Sequence, residues 1–138
     1  MDSLTLAISQ GSLRRGSAAC YLDIFHPEIE EFLEIRKAAG DFNRKSLNLH
    51  HGINITDEFM EAVRQDAPFQ LKSPKTNEVM KEVSARKLWQ KILELRMATG
   101  EPYLLFTDTV NNAMPAHQKQ LGFKVRQSNL CSEIMLHT

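Results

Sequence analysis

The chain has 138 residues, with 17 basic and 17 acidic side chains, a formal net charge of zero and 42% hydrophobic residues. This composition is ordinary for one globular domain or part of a larger one, and the balanced charge does not indicate a nucleic-acid or membrane-surface partner. No apolar run reaches the roughly 20 residues that span a bilayer, no signal peptide is recognisable, and two cysteines are too few for a disulfide framework, so we expect a cytoplasmic protein.

The first third of the chain alternates short apolar segments with polar ones. Residues 4–9 predict a buried strand, residues 10–17 a polar loop bounded by glycines, and residues 18–25 a second strand. Pro27 fits the first turn of a helix that ends at Gly40. The predicted buried stripe of this helix consists of Ile29, Phe32 and Leu33.

The middle of the chain carries the clearest periodicity. Residues 47–55 alternate as a strand does, with His51 among the apolar positions and His50, Gly52 and Asn54 on the other face. Thr56 is expected to cap the next helix, and residues 69–83 to form a hairpin that turns at 74–77. A longer helix is predicted from the cap Ser84 to Gly100, with its inward face formed by Ala85, Leu88, Trp89, Ile92 and Leu93.

The remaining elements complete an alternating pattern. Residues 103–106 predict a short strand, residues 108–114 a short helix stopped by Pro115, and residues 127–136 an extended loop or strand. Strands that alternate with helices indicate an α/β fold with mainly parallel strands. Such folds place their chemistry on loops at the ends of strands.

Two segments are candidate sites. In the loop, Arg14 and Arg15 stand beside glycines and could approach a phosphate or a base edge; the alternative is a polar surface turn. In an extended segment, Asn129, Cys131 and Glu133 would share one face, where they could hold a hydroxylated substrate, use sulfur as the reactive atom and exchange a proton.

Other interpretations of the reactive side chains are weaker. Cys131 could instead be a small buried apolar residue, and a thiol hydrolase would need a histidine that nothing in the sequence positions beside it. His50 and His51 are adjacent, so on a strand they face opposite ways, and the other histidines show no metal-ligand spacing. No metal site is expected.

Four segments, in order along the chain, resemble the large subunits of ribonucleotide reductases. SNLCSEI (128–134) is similar to the radical-cysteine loop NLCxEI, and ISQGSLRRGSAACYLDIFHPEIEEFLEIRK (8–37) to the QGGxRxGA loop with its following strand and helix. FNRKSLNLHHGINITDEFMEAV and TGEPYLLFTDTVNNAMP resemble the intervening barrel segments. The resemblance implies one partial ten-stranded α/β barrel domain over residues 1–138, with a specificity loop at 9–17 and a finger loop at 127–135.

The resemblance also implies roles for individual residues. Cys131 would become a transient thiyl radical that removes hydrogen from C3′ of a ribonucleotide, Glu133 would be the general base on the 3′-hydroxyl, and Asn129 would hydrogen-bond the ribose. The loop would lie between the substrate base and an allosteric nucleotide, through Gln10, Gly11, Arg14, Arg15 and Gly16. The implied activity is radical-based reduction of ribonucleotides to deoxyribonucleotides for DNA replication.

Partners and cofactors are implied outside the chain. They are thioredoxin or glutaredoxin, dNTP or ATP effectors, and a metal-containing small subunit that generates the radical, with adenosylcobalamin as the alternative source. The family's other active-site cysteines and radical-transfer tyrosines are not found here, and Ser12 and His137 replace a usual glycine and proline. We therefore expect the isolated chain to be inactive without the missing segments of the large subunit. The alternative is a non-catalytic product of a split or truncated gene that acts only in assembly.

Overall fold

The computed structural model describes residues 1–8 and 15–137. The strands are β1 (Ala18–Asp23), β2 (Leu49–Ile55), β3 (Pro68–Lys72), β4 (Val79–Ser84), β5 (Tyr103–Phe106), β6 (Val125–Ser128) and β7 (Met135–His137). The helices are α1 (Asp2–Ala7), α2 (Ile29–Phe32), α3 (Asp57–Gln65), α4 (Ala85–Thr99), α5 (Thr107–Ala113) and α6 (Ala116–Gln120), with a 3-10 turn at Phe42–Arg44. Within these ranges, no helix is both long and apolar enough to cross a membrane.

A parallel sheet of three strands, in the order β1-β2-β5, forms the centre of the fold. β2 is the middle strand, with Gly52 paired to Tyr21 of β1 on one side and to Tyr103 of β5 on the other. β3–β4 and β6–β7 form separate antiparallel hairpins. The predicted strands at 18–25, 47–55 and 103–106 and the predicted hairpin are confirmed.

One face of the sheet is covered by helices. Phe59 of α3 packs edge-on against Phe69 of β3, with ring centroids 5.0 Å apart, and also contacts Trp89 of α4. The buried core on this face consists of Ile24, Ile29, Leu33, Ile53, Ile55, Phe59, Phe69, Leu71, Ala85, Leu88, Ile92 and Leu95. The main apolar core therefore lies between this face of the sheet and the helices.

The ends of α3 and α4 follow the predicted capping chemistry. The Thr56 hydroxyl accepts a hydrogen bond from the Phe59 amide at 3.3 Å, and the Ser84 hydroxyl accepts one from the Lys87 amide at 3.3 Å. Gly100 ends α4 in the left-handed conformation with φ 80°, which glycine adopts without steric cost. These boundaries are confirmed.

The prediction of a strand at 4–9 is wrong over the part that the structure describes. Residues 2–7 form α1, in which Thr5 is buried while Leu4 and Leu6 are exposed. The Asp2 carboxylate accepts hydrogen bonds from the amide and side chain of Asn48, at 2.7 and 2.8 Å. A short apolar run does not distinguish helix from strand, and these contacts with distant residues tether the helical segment.

The structure differs from the sequence-based predictions in three smaller features. α2 has four residues, because the chain after it turns and the Ser46 amide bonds to the Ile35 carbonyl oxygen at 2.9 Å instead of continuing a helix to Gly40. Leu93 is 40% exposed and Leu95 is buried in its place, as the i, i+4, i+7 series from Leu88 requires. α6 was not predicted.

Candidate functional site

The face of the sheet opposite the helices carries the candidate site. Tyr21, Gly52 and Tyr103 form a row across the three strands, because paired positions of parallel strands point to the same side. Leu105, two residues after Tyr103 in β5 and on the same face, packs with Met114 and Val125 in a second, smaller core cluster. β2 therefore has both faces covered, and Asn54 on its predicted polar face is only 4% exposed.

The β6–β7 hairpin is fastened to this face by two asparagines. Asn54 donates from Nδ2 to the Arg126 carbonyl oxygen of β6 at 2.7 Å and to Asp23 Oδ1 at 2.8 Å. Asn111 of α5 accepts from the Val125 amide at 2.8 Å and donates to the Val125 carbonyl at 3.1 Å. Both side chains thus satisfy backbone groups of β6 that have no partner strand on that side among the described residues.

The segment 129–134, which we call the cysteine turn, joins β6 to β7. The Asn129 side-chain oxygen accepts from the amides of Glu133 and Ile134, at 3.1 and 3.0 Å, and its Nδ2 donates to Glu133 Oε1 at 2.7 Å. The Ser132 amide donates to the Asn129 carbonyl at 3.0 Å, and Ser132 has φ 61°. Asn129 therefore organises the turn through its own side chain.

The expectation that Asn129, Cys131 and Glu133 share one face of an extended segment is wrong. A turn replaces the strand alternation, because Asn129 bonds to amides four and five residues ahead and Ser132 is left-handed. The turn nevertheless brings the Asn129 amide and the Glu133 carboxylate into direct contact. Cys131 lies between them in sequence and is exposed rather than buried.

A tyrosine of β1 contacts the cysteine turn. The Tyr21 hydroxyl is 3.4 Å from the Asn129 carbonyl oxygen and 3.4 Å from the Ser132 hydroxyl. Burial, followed by the negative charge of Glu101, raises the pKa of Tyr103, which lies on the other side of Gly52. Neither tyrosine was predicted as a site residue, because their placement on either side of Gly52 depends on the register between strands.

The buried carboxylate of Glu101 contacts both His50 and His51. His50 Nδ1 lies 2.5 Å from Glu101 Oε1, and His51 Nδ1 lies 2.8 Å from Glu101 Oε2. The Arg36 guanidinium is 3.3 Å from the same carboxylate. The histidines do point to opposite faces, yet both reach Glu101, which precedes β5; His50 also stacks on Tyr103 with centroids 6.1 Å apart.

The charge states of this cluster follow from burial and hydrogen bonding. Burial alone would raise the pKa of Glu101, but hydrogen bonds from His50 and the His51 amide, with the Arg36 charge, hold it below the usual value. Burial lowers the pKa of His51 against the opposing pull of Glu101. A neutral His51 beside an ionised Glu101 is the resulting state at neutral pH.

The predicted nucleotide loop is described only in part. Four of its positions lie outside the described residues: Gln10, Gly11, Arg14 and Ser12, which replaces a glycine usual in the family. Arg15 is exposed, and Gly16 lies against α1, where a Cβ would be 2.8 Å from Ile8 Cγ1 and 2.9 Å from the Thr5 carbonyl oxygen. Gly16 thus serves a close approach to α1.

The other candidate ligands are separate from one another. Within residues 1–8 and 15–137, no three His, Cys, Asp or Glu side chains are grouped as a metal site would require. Cys20 pairs in register with His51 and faces the helical side of the sheet, opposite Tyr21. The two cysteines therefore face different surroundings.

Comparison with known proteins assigns this arrangement to a family. The family profile described as "Ribonucleotide reductase, barrel domain" matches residues 1–138. The chain belongs to the ribonucleotide reductase barrel-domain family. It is 51% identical over 138 residues to a Frog virus 3 protein named as a ribonucleoside-diphosphate reductase large subunit, and 48% identical over 137 residues to a large subunit of Invertebrate iridescent virus 6.

A solved ribonucleotide reductase supports the same assignment. The class Id alpha subunit of Actinobacillus ureae superposes on 92% of the chain with a TM-score of 0.70 and 30% identity, and the chain covers 21% of that structure. The predicted partial α/β barrel is confirmed. The chain spans 24% and 14% of the two viral relatives, so it corresponds to a fraction of a ribonucleotide reductase large subunit.

Proposed function

We propose that the chain supplies the cysteine turn of a ribonucleoside-diphosphate reductase and that Cys131 is its radical-bearing residue. The observation that carries the proposal is the contact between Asn129 and Glu133, at 2.7 Å, on either side of an exposed Cys131 in a chain of this family. An amide and a carboxylate held together beside a reactive sulfur suit a ribose, which presents neighbouring hydroxyl groups.

The proposed chemistry divides the reaction among three side chains. The Cys131 thiyl removes the hydrogen atom from C3′, Glu133 takes the proton of the 3′-hydroxyl, and the 2′-hydroxyl leaves as water after one thiol of a dithiol protonates it. The second proton of the dithiol goes to the 2′-carbon and its two electrons reduce the sugar as a disulfide forms. Glu133 then returns its proton to the 3′-oxygen, and Cys131 returns the hydrogen atom to C3′. Asn129 orients the ribose. The dithiol, supplied through thioredoxin or glutaredoxin, lies outside this chain.

The remaining parts of the proposed system also lie outside the chain. A metal-containing small subunit would generate the radical, with adenosylcobalamin as the alternative source. Further large-subunit segments would close the barrel around the cysteine turn, and dNTP or ATP effectors would act through the loop at 9–17. The outer edges of β1 and β5, which pair with no other strand in the described ranges, support docking of those segments.

A chimera tests the proposal directly. Residues 1–138 would replace the matching segment of the Frog virus 3 large subunit, and conversion of CDP to dCDP would be measured with a radical-generating small subunit and thioredoxin. We expect activity that Cys131→Ser abolishes and Cys20→Ser, at the other exposed cysteine, preserves. Activity that survives Cys131→Ser would refute the role. The isolated chain should show no turnover.

A purely structural role in assembly is the second candidate, favoured by the same open strand edges. Assembly would leave Cys131 dispensable. If Cys131→Ser keeps full function in the chimera while a charged substitution on the outer edge of β5 prevents association, the assembly role replaces the catalytic one.

A further inference from the structure

We propose that Tyr21 is a positioning residue for Cys131, and that Gly52 is a glycine because the Tyr21 ring must lie over it to do so. The inference rests on the proposed function for its catalytic meaning, since it names a residue that holds the reactive cysteine without touching substrate. Its structural basis is independent of that function.

The Tyr21 hydroxyl is bonded to the backbone and side chain of the cysteine turn. It donates toward the Asn129 carbonyl oxygen and also reaches the Ser132 hydroxyl, each at 3.4 Å. The two contacts flank Cys131 in sequence. The Asn129 carbonyl also accepts the Ser132 amide, so Tyr21 binds the same oxygen that closes the turn.

The reach of Tyr21 depends on the strand beside it. A Cβ at Gly52 would stand 2.5 Å from Cε1 and 2.7 Å from Cδ1 of the Tyr21 ring. These distances are shorter than any ordinary carbon contact. Any side chain at position 52 would therefore displace the ring, and with it the hydroxyl that meets the turn.

The position of the Tyr21 hydroxyl is fixed by the strands of the central sheet. Tyr21 lies within β1, which is in register with β2 along its full length. Asn54, two residues beyond Gly52, bonds to the β6 carbonyl of Arg126 at 2.7 Å. β6, which leads into the turn, is thus bonded to β2, and the turn itself is bonded to β1. Both strands belong to one sheet.

Hydrogen exchange of the 138-residue chain tests the inference without requiring activity. In Tyr21→Phe, we expect exchange of the Ser132, Glu133 and Ile134 amides to accelerate by about two- to tenfold, the factor corresponding to one net hydrogen bond. The amides of β2 should keep their rates. Tyr103→Phe is the matched control, since Tyr103 lies on the other side of Gly52 and makes no hydrogen bond to the turn in the described part of the chain.

A second variant keeps the test sharp. Ser132→Ala removes the side-chain partner of Tyr21 and should accelerate exchange less than Tyr21→Phe does. In the double variant the two effects should be less than additive, because both changes break the same contact between Tyr21 and Ser132. Unchanged exchange in the cysteine turn of Tyr21→Phe would overturn the inference. Equal acceleration throughout β2 would also overturn it, since Tyr21 would then support the fold in general.

Kinetics of the Frog virus 3 chimera separate positioning from substrate binding. Tyr21→Phe should lower kcat by about two- to fivefold with KM unchanged, because it would disturb the cysteine and not the groups that bind substrate. A rise in KM alone would contradict the inference. If every form of the chimera is inactive, the proposed function fails, while the exchange experiment still decides the role of Tyr21.

Discussion

The ring of Tyr21 occupies the space that a side chain at Gly52 would need, with Cε1 only 2.5 Å from the position of a Cβ. We predict that Gly52→Ala lowers the free energy of unfolding by about 1–3 kcal/mol, the usual cost of overpacking a well-packed site. Urea unfolding would measure it. Tyr21→Ala should relieve most of this cost in the double variant, giving strongly non-additive effects; additive losses would show that the two residues do not compete for space.

Asn54 should help to place the cysteine turn, because it bonds to β6, the strand that leads into the turn. Asn54→Ala removes hydrogen bonds to Asp23 and to the Arg126 carbonyl at a site that is 4% exposed. We expect a loss of about 1–3 kcal/mol, the cost of leaving a buried polar group unsatisfied, with faster exchange in β6. Asn112→Ala, at an exposed neighbour of Asn111, is the control. Unchanged β6 exchange would exclude the anchoring role.

The helical side of the fold was predictable because its signals are local. Thr56 and Ser84 cap helices through bonds three residues ahead, and Gly100 ends α4 through its own backbone freedom. Each signal is complete within one turn of chain. The sequence pattern therefore placed α3, α4 and the strands between them correctly.

The candidate site was predictable in composition but not in geometry. The segment containing Asn129, Cys131 and Glu133 was identified, yet its shape depends on Asn129 bonding to later amides and on a left-handed Ser132, which competes with strand alternation. The support from Tyr21 depends on sheet register across residues separated by 108 positions. Periodicity contains no information about such contacts.

The Glu101 cluster predicts how stability changes with pH. His51 has a lowered pKa in the folded chain, so the unfolded chain binds more protons as pH falls below 6.5, and stability should decline from there. Glu101 also has a lowered pKa, so a further decline should begin below 4.5, where the unfolded carboxyl becomes protonated.

Thermal unfolding between pH 4 and pH 8 would measure both declines. His51→Phe should remove the decline that begins near pH 6.5, and Glu101→Gln should weaken the one at lower pH while reducing stability at pH 7. Glu94→Gln, on the exposed side of α4, is a control that should follow the unmodified chain. A stability that stays constant from pH 8 to pH 5 would contradict the assigned state of His51.

Glu133 offers a test that separates the architecture of the turn from its chemistry. Its Oε1 accepts from Asn129 Nδ2 at 2.7 Å, and the carbonyl oxygen of a glutamine could accept the same bond. Glu133→Gln should therefore preserve exchange in the cysteine turn. A glutamine cannot take a proton, so kcat of the Frog virus 3 chimera should fall by about 100-fold or more, the lower range for loss of a general base.

Asn129→Ala should behave differently from Glu133→Gln. It removes the acceptor of the Glu133 and Ile134 amides together with the donor to Glu133, so exchange in the turn should accelerate and activity should fall with it. Glu94→Gln should leave both measurements unchanged. If Glu133→Gln retains kcat within about threefold of the unmodified chimera, which is far smaller than a general-base effect, the proton must leave the 3′-hydroxyl by another group, and Glu133 would serve only to hold Asn129.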